Sequence, residues 1–179
     1  MLLENTIVSS DNGPKIKHAY DDGALENLNG HDPHNGLRGE KGLIYEGGLR
    51  LPFIFSWPAK VATPRADPRP VNLSNMIPTI TALVGAPVPG GVWKDARDDS
   101  GILLGNDSAP DKPLYLQNGT GNIQAVRLGP WKYIRLPQNK EELYNLEKDP
   151  SETTSQTTAE PKIRAQMKAL MDEFLSRKY

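Results

Sequence analysis

Two stretches of the sequence concentrate side chains able to do chemistry. The first is Ser10-Asp11-Asn12-Gly13, which follows a short β-branched run and sets a carboxylate beside an amide oxygen. Adjacent oxygen donors of that kind suit a hard cation such as calcium or magnesium. Asp-Asn-Gly is also a common turn sequence, and the four residues alone leave both readings open. The second stretch is Leu37–Pro52, LRGEKGLIYEGGLRLP, where Arg38, Lys41, Glu46 and Arg50 are interspersed with Gly39, Gly42, Gly47 and Gly48. Glycine permits positive φ and close backbone approach, so the stretch reads as a hinged loop that delivers charge. A charged loop leading into a core strand is where α/β enzymes place active-site groups, and a merely solvated turn is the competing reading. His31-x-x-His34 has a spacing usable by a transition metal, but no third ligand recurs at useful spacing, and solvated loop histidines fit it better.

The elements that must position these groups follow from pattern. Asn5–Ser9 reads as a buried strand of the parallel type whose C-terminal end carries Asp11 and Asn12, the end where open α/β sheets bind ligands. Leu49–Trp57 is apolar and aromatic enough for a strand buried on both faces, stopped by Pro58. Between them, Pro14–Asn35 is a long polar loop holding all three histidines, His18, His31 and His34. Ser74 is a candidate cap for a helix with Pro78 in its first turn and Gly85 at its end; Ile77, Ile80 and Val84 share a face that should pack on the sheet.

The tail changes character. Leu114–Gln117, Ile123–Gly129, Trp131–Leu136 and Glu142–Leu146 are short, turn-punctuated strands, which predicts an antiparallel sheet. Alternation puts Trp131, Tyr133 and Arg135 on one face and Lys132, Ile134 and Leu136 on the other. Pro161 then opens a helix whose stripe of Ile163, Met167, Leu170, Met171 and Phe174 should cover one face of that sheet.

Composition narrows the class. With 21 Lys+Arg against 22 Asp+Glu, dispersed rather than striped, nothing points to nucleic acid or an anionic membrane surface. The absence of cysteine excludes disulfides, zinc–thiolate sites and a cysteine nucleophile. No apolar run approaches the roughly 20 residues of a spanning helix. The start, MLLENTIV, lacks a secretory signal, so it reads as either a cytoplasmic start or not the natural one. Sixteen Gly and sixteen Pro in 179 residues disfavour a helical bundle.

Taken in order, ENTIV with SDNG, LRGEKGLIYEGGLRLPFIFSWP, NMIPTITALVGAP, AVRLGPWKYI and ELYNLEKDPSE make the chain resemble the C-terminal portion of a sulfatase of the arylsulfatase type. The resemblance implies an α/β fold: residues 1–110 as the C-terminal part of an alkaline-phosphatase-like α/β/α domain, and residues 111–179 as a small antiparallel sheet packed with a helix. It implies sulfuric ester hydrolysis. By the same resemblance Asp11 and Asn12 would ligate Ca2+, Lys41 would contact a sulfate oxygen, Arg38 would join it on the substrate, and Glu46, Gly47, Gly48 and Arg50 would shape the loop. The implied substrate is a sulfate ester, such as a sulfated carbohydrate. Relatives of this type often work in a periplasmic or extracellular space.

The chain also departs from the family pattern. The Cys/Ser-x-Pro-x-Arg motif that matures to formylglycine is missing, and the nearest serine match, Ser56-Trp57-Pro58-Ala59-Lys60, ends in lysine and lies after the glycine loop. The expectation is therefore a partial site, needing an N-terminal sulfatase half for its nucleophile and remaining metal ligands, inactive and weak in calcium binding alone. Without the rest of a large sheet, Asn5–Ser9 and Leu49–Trp57 would show unpaired edges and apolar faces. The alternative is a non-catalytic module that uses Arg38, Lys41 and Arg50 to bind sulfated glycans or a partner protein.

Overall fold

A computed structural model describes residues 5–15, 23, 26–87, 95–108 and 110–177. The chain divides into two compact units that interleave along the sequence: residues 1–11 with 52–111, and residues 12–51 with 112–179. The glycine loop falls in the second unit, with the C-terminal residues.

In the first unit, β1 (Thr6–Ser9) pairs antiparallel with β2 (Phe53–Ser56), Val8 opposite Ile54 and Ile7 opposite Phe55. This corrects two expectations. The first strand is antiparallel and exposed throughout rather than parallel and buried, and β2 is half-buried on one face only, with Val8 50% and Ile54 59% exposed. β2 also starts later than the apolar run suggested, because Leu49 still belongs to a helical turn. Further on, α2 (Met76–Leu83) packs on α3 (Ser100–Leu103), which occupies the apolar island around Gly101–Gly105.

The α2–α3 packing is polar. Asn75 Nδ2 donates to Asp99 at 2.6 Å, and Thr79 Oγ1 accepts the Asp99 N–H at 2.9 Å, all three residues being buried. The expected apolar face of α2 points elsewhere: Ile77 is 52% and Val84 65% exposed. A 3-10 turn, Leu73–Asn75, leads into α2; Asn72, not Ser74, caps that turn, its side chain accepting the Ser74 N–H at 3.1 Å, and Gly85 closes the helix at φ +69°. Asp67 bridges Arg65 and Arg69, whose guanidinium groups also reach the Ile102 and Asn106 carbonyls.

The second unit is built on a four-stranded antiparallel meander, β3 (Leu114–Gln117), β4 (Gln124–Leu128), β5 (Trp131–Arg135) and β6 (Glu141–Asn145), in sequential order. The alternation read in Trp131–Leu136 decides what each face meets. On one side Val126, Tyr133 and Leu143 pack with Met167 and Met171 of α4 (Pro161–Ser176), as the apolar stripe predicted. On the other, Ala125, Ile134, Tyr144 and Leu146 pack with Ile44, flanked by Tyr45 and Leu49. The sheet thus lies between α4 and the glycine loop, whose apolar residues supply the second core.

Candidate functional site

The glycine loop closes on itself around α1 (Glu46–Leu49), a single helical turn. Backbone lies directly on backbone here. A Cβ on Gly47 would fall 2.7 Å from the Arg38 carbonyl oxygen, and one on Gly48 2.7 Å from that of Leu43, distances real side chains do not reach. The close approach leaves room for hydrogen bonds: Gly47 N–H donates to Arg38 O at 2.7 Å and Arg50 N–H to Glu46 O at 2.7 Å.

The Asn12–Lys15 segment lies along this loop. Gly13 N–H donates to Gly48 O and Lys41 N–H to Pro14 O, both at 3.0 Å, and Lys15 pairs with Glu40 at 2.8 Å. Gly13 has no more room than its partners, since a Cβ there would sit 2.9 Å from Gly48 Cα. Two stretches separated by some twenty residues of polar loop are thereby joined in one substructure. Lys41 is exposed at its rim.

Charge anchors the loop to the sheet. Glu46 is buried, with Lys132 Nζ at 2.9 Å, Arg50 at 3.3 Å and Arg127 at 3.8 Å. Burial pushes the Glu46 carboxyl up, but Lys132, Arg127 and Arg50 together outweigh it and hold the group below its ordinary range. Glu152, also buried, faces Lys132 at 2.8 Å through one oxygen and accepts the Glu46 N–H at 2.6 Å through the other. Its carboxyl is pushed up, burial prevailing over Lys132. Arg38 lies over the Tyr45 ring at 3.7 Å and donates to Tyr144 Oη and the Glu152 carbonyl, each at 3.0 Å. Those contacts tie Arg38 to the Tyr45 ring, to the sheet through Tyr144, and to Glu152.

Lys132, Glu152 and Arg127 were not singled out by sequence reasoning as parts of this site. The available signal was a lysine on the inward face of Trp131–Leu136, between two aromatic neighbours, where a lone charge demands a partner.

Asp11 is exposed, at the end of the first unit's leading segment, and accepts from Ser10 Oγ at 3.4 Å; Asn12, the next residue, opens the second unit and donates to the Gly13 carbonyl at 3.0 Å. Among the described residues no three His, Cys, Asp or Glu side chains gather as a metal site. Calcium takes six to eight oxygens, so Asp11 and Asn12, with about two or three between them, fit only as part of a ligand set. His18 lies outside the described residues. His34 is not the solvated group expected: its ring is largely covered, with Nε2 3.4 Å from the Pro14 carbonyl oxygen, whereas His31 is exposed. Ser56 is the last residue of β2. No described helix is long and apolar enough to cross a membrane.

Comparison with known proteins now adds to this geometry. No family model matches the chain. It is 34% identical over 197 aligned residues to N-acetylgalactosamine-6-O-sulfatase of Bacteroides thetaiotaomicron, covering 98% of this chain and 37% of the relative. It is also 34% identical to human arylsulfatase A over 73% of this chain and 25% of that protein. A solved chain from the study of glycosaminoglycan metabolism by Bacteroides thetaiotaomicron superposes with a TM-score of 0.86 at 32% identity, over 97% of this chain and 39% of that one. An α/β architecture of two antiparallel sheets and a closing helix, aligned almost end to end with sulfatases, places the chain in the sulfatase family. It spans little more than a third of the length of the first of these relatives.

Proposed function

We propose that this chain is the C-terminal part of a sulfuric ester hydrolase, and that it supplies the sulfate-binding lysine and part of a calcium site to an active centre whose nucleophile lies outside it. Lys41 makes the sulfate contact. Its backbone is pinned to Pro14 and its side chain is exposed, so the ammonium is free to meet an anion at a defined place. A charge-assisted contact of this kind contributes about 1.5–3 kcal/mol. Arg38, Glu46 and Arg50 hold the loop, and Gly47 with Gly48 form the turn that lets its backbone close.

Asp11 and Asn12 contribute oxygens to the metal set. Calcium, when bound there, supplies Lewis acidity toward a sulfate oxygen. The residues of this chain orient the anion and neutralise its charge; no residue in it is assigned as nucleophile, because it has no Cys/Ser-x-Pro-x-Arg segment. Substrates are sulfate esters, sulfated carbohydrate foremost: the curated relative is named for N-acetylgalactosamine 6-O-sulfate, and a structural neighbour, 26% identical at TM-score 0.74, was solved with a neocarrahexaose. A periplasmic or extracellular workplace goes with this reading.

The observation that carries the proposal is the alignment over 98% of the chain, with Lys41 on the loop that the Asn12–Lys15 segment joins. An aryl sulfate assay of the chain by itself is expected to show no turnover. Turnover that survives metal-free repurification and vanishes in Lys41→Ala would overturn the claim of a partial site. Calorimetry with sulfated and desulfated oligosaccharide addresses the non-catalytic alternative, which requires salt-sensitive binding to the sulfated form alone.

A further inference from the structure

Lys132 is the second residue of β5, with 0% of its side chain exposed. Burying an ammonium is costly unless it is paired and hydrogen-bonded. Both carboxylates that pair with it come from outside the sheet. Glu46, 2.9 Å away, begins α1 of the glycine loop; Glu152, 2.8 Å away, lies in the turn after β6. That turn is itself tied down by Asp149, whose carboxylate accepts the N–H groups of Thr153 and Thr154 at 2.9 Å. The opposite face of β5 rests on α4 through Tyr133, Met167 and Met171, so the strand has a packed face that the loop does not supply. The ammonium is fixed by the sheet, and the loop is drawn to it.

From Glu46 the constraint continues along backbone bonds. Gly47 N–H reaches Arg38 O, Gly13 N–H reaches Gly48 O, and Lys41 N–H reaches Pro14 O. We infer that Lys132 is a positioning residue of the glycine loop: through Glu46 and Glu152 it sets where Lys41 is presented, without touching the sulfate itself. The functional consequence rests on the reading of Lys41 as the sulfate contact; the positioning does not.

The test is amide hydrogen exchange by NMR on the intact chain, followed by titration with inorganic sulfate. Lys132→Met leaves Glu152 without its cation and Glu46 with Arg50 and Arg127 alone. Exchange at Gly13, Lys41, Gly47 and Arg50 is expected to accelerate about a hundredfold or more, while Val126 and Tyr133 in the sheet stay protected. Sulfate-induced shifts at Lys41 should weaken in parallel although Lys41 is untouched. Should Lys132→Met fail to fold, Glu46→Gln, which keeps the shape and removes one charge, is read the same way with a smaller change. Unchanged loop protection, or loss of protection equally throughout sheet and loop, overturns the inference. Absence of sulfate shifts in the unmodified chain would overturn the proposed role of Lys41 instead, leaving the exchange result to decide the role of Lys132.

Discussion

Glu152 and Glu46, 106 residues apart, meet through a carboxylate oxygen accepting a backbone N–H at 2.6 Å. Two acidic residues are neighbours here because Lys132 stands beside both and because the N–H at the start of α1 needs an acceptor. Glu152 adopts φ +54°, a left-handed conformation rare for a side chain of its size, which the three contacts of its carboxylate and carbonyl sustain. Glu152→Ala removes the acceptor and one counter-charge together. The expected cost is about 3–5 kcal/mol of stability, read by urea unfolding; a loss under about 1 kcal/mol would mean the network contributes little.

The loop glycines differ in what they do, and alanine substitution should rank them. Gly42 has φ +89° with open space around it, so Gly42→Ala meets backbone strain alone, about 1 kcal/mol. Gly47→Ala drives a methyl into the Arg38 carbonyl and cannot be accommodated without opening the loop. Its loss in Tm should be at least twice that of Gly42→Ala. Equal losses would contradict the backbone-on-backbone packing.

Acid dependence should separate the two carboxyls on Lys132. The Glu46 carboxyl is held below its ordinary 4.5, so its contribution to stability is present above that pH and is lost as pH falls through its folded value. The Glu152 carboxyl is raised above 4.5, so its contribution is largest below that pH and declines as pH rises through its folded value. Unfolding free energy measured across pH 3–7, roughly the carboxylate range, should fall less on the acid side in Glu46→Gln than in the unmodified chain, Asp67, Glu141 and Asp149 keeping the rest of the fall. In Glu152→Gln the decline above about 4.5 should flatten. Identical profiles for both variants would contradict the assignment.

In the first unit Val8 and Ile54 stand opposite each other on one exposed face of β1–β2. An apolar sheet that has two strands among the described residues is a template for self-association. Ile54→Lys should lower concentration-dependent light scattering of the chain without lowering its Tm. Equal scattering from both proteins would show that this face is not the sticky one.

What the sequence made legible follows from range. Trp131–Leu136 and Ile163–Phe174 carry periods of 2 and 3.6 on faces buried within the unit, so strand, helix and covered face could all be read locally. The apolar faces of Asn5–Ser9, Leu49–Trp57 and α2 read as core for the same reason, yet Val8, Ile54, Ile77 and Val84 are exposed. Patterning tells which residues want cover, not whether the described residues provide it. Of the loop, the glycines and the charges between them were legible locally, whereas the sulfate-contact reading of Lys41 came from the family resemblance. The network roles of Lys132 and Glu152 were not legible, because these residues stand 86 and 106 positions from Glu46, their shared partner, along the chain.

The most direct measurement of the central claim is a chimera of the Bacteroides thetaiotaomicron N-acetylgalactosamine-6-O-sulfatase in which this chain replaces the 37% of that protein it aligns with. A folded enzyme is expected that hydrolyses sulfate esters and loses about tenfold to a hundredfold in kcat/KM with Lys41→Ala, the range of one charge-assisted contact. A folded chimera without turnover, or one indifferent to Lys41→Ala, would contradict that claim.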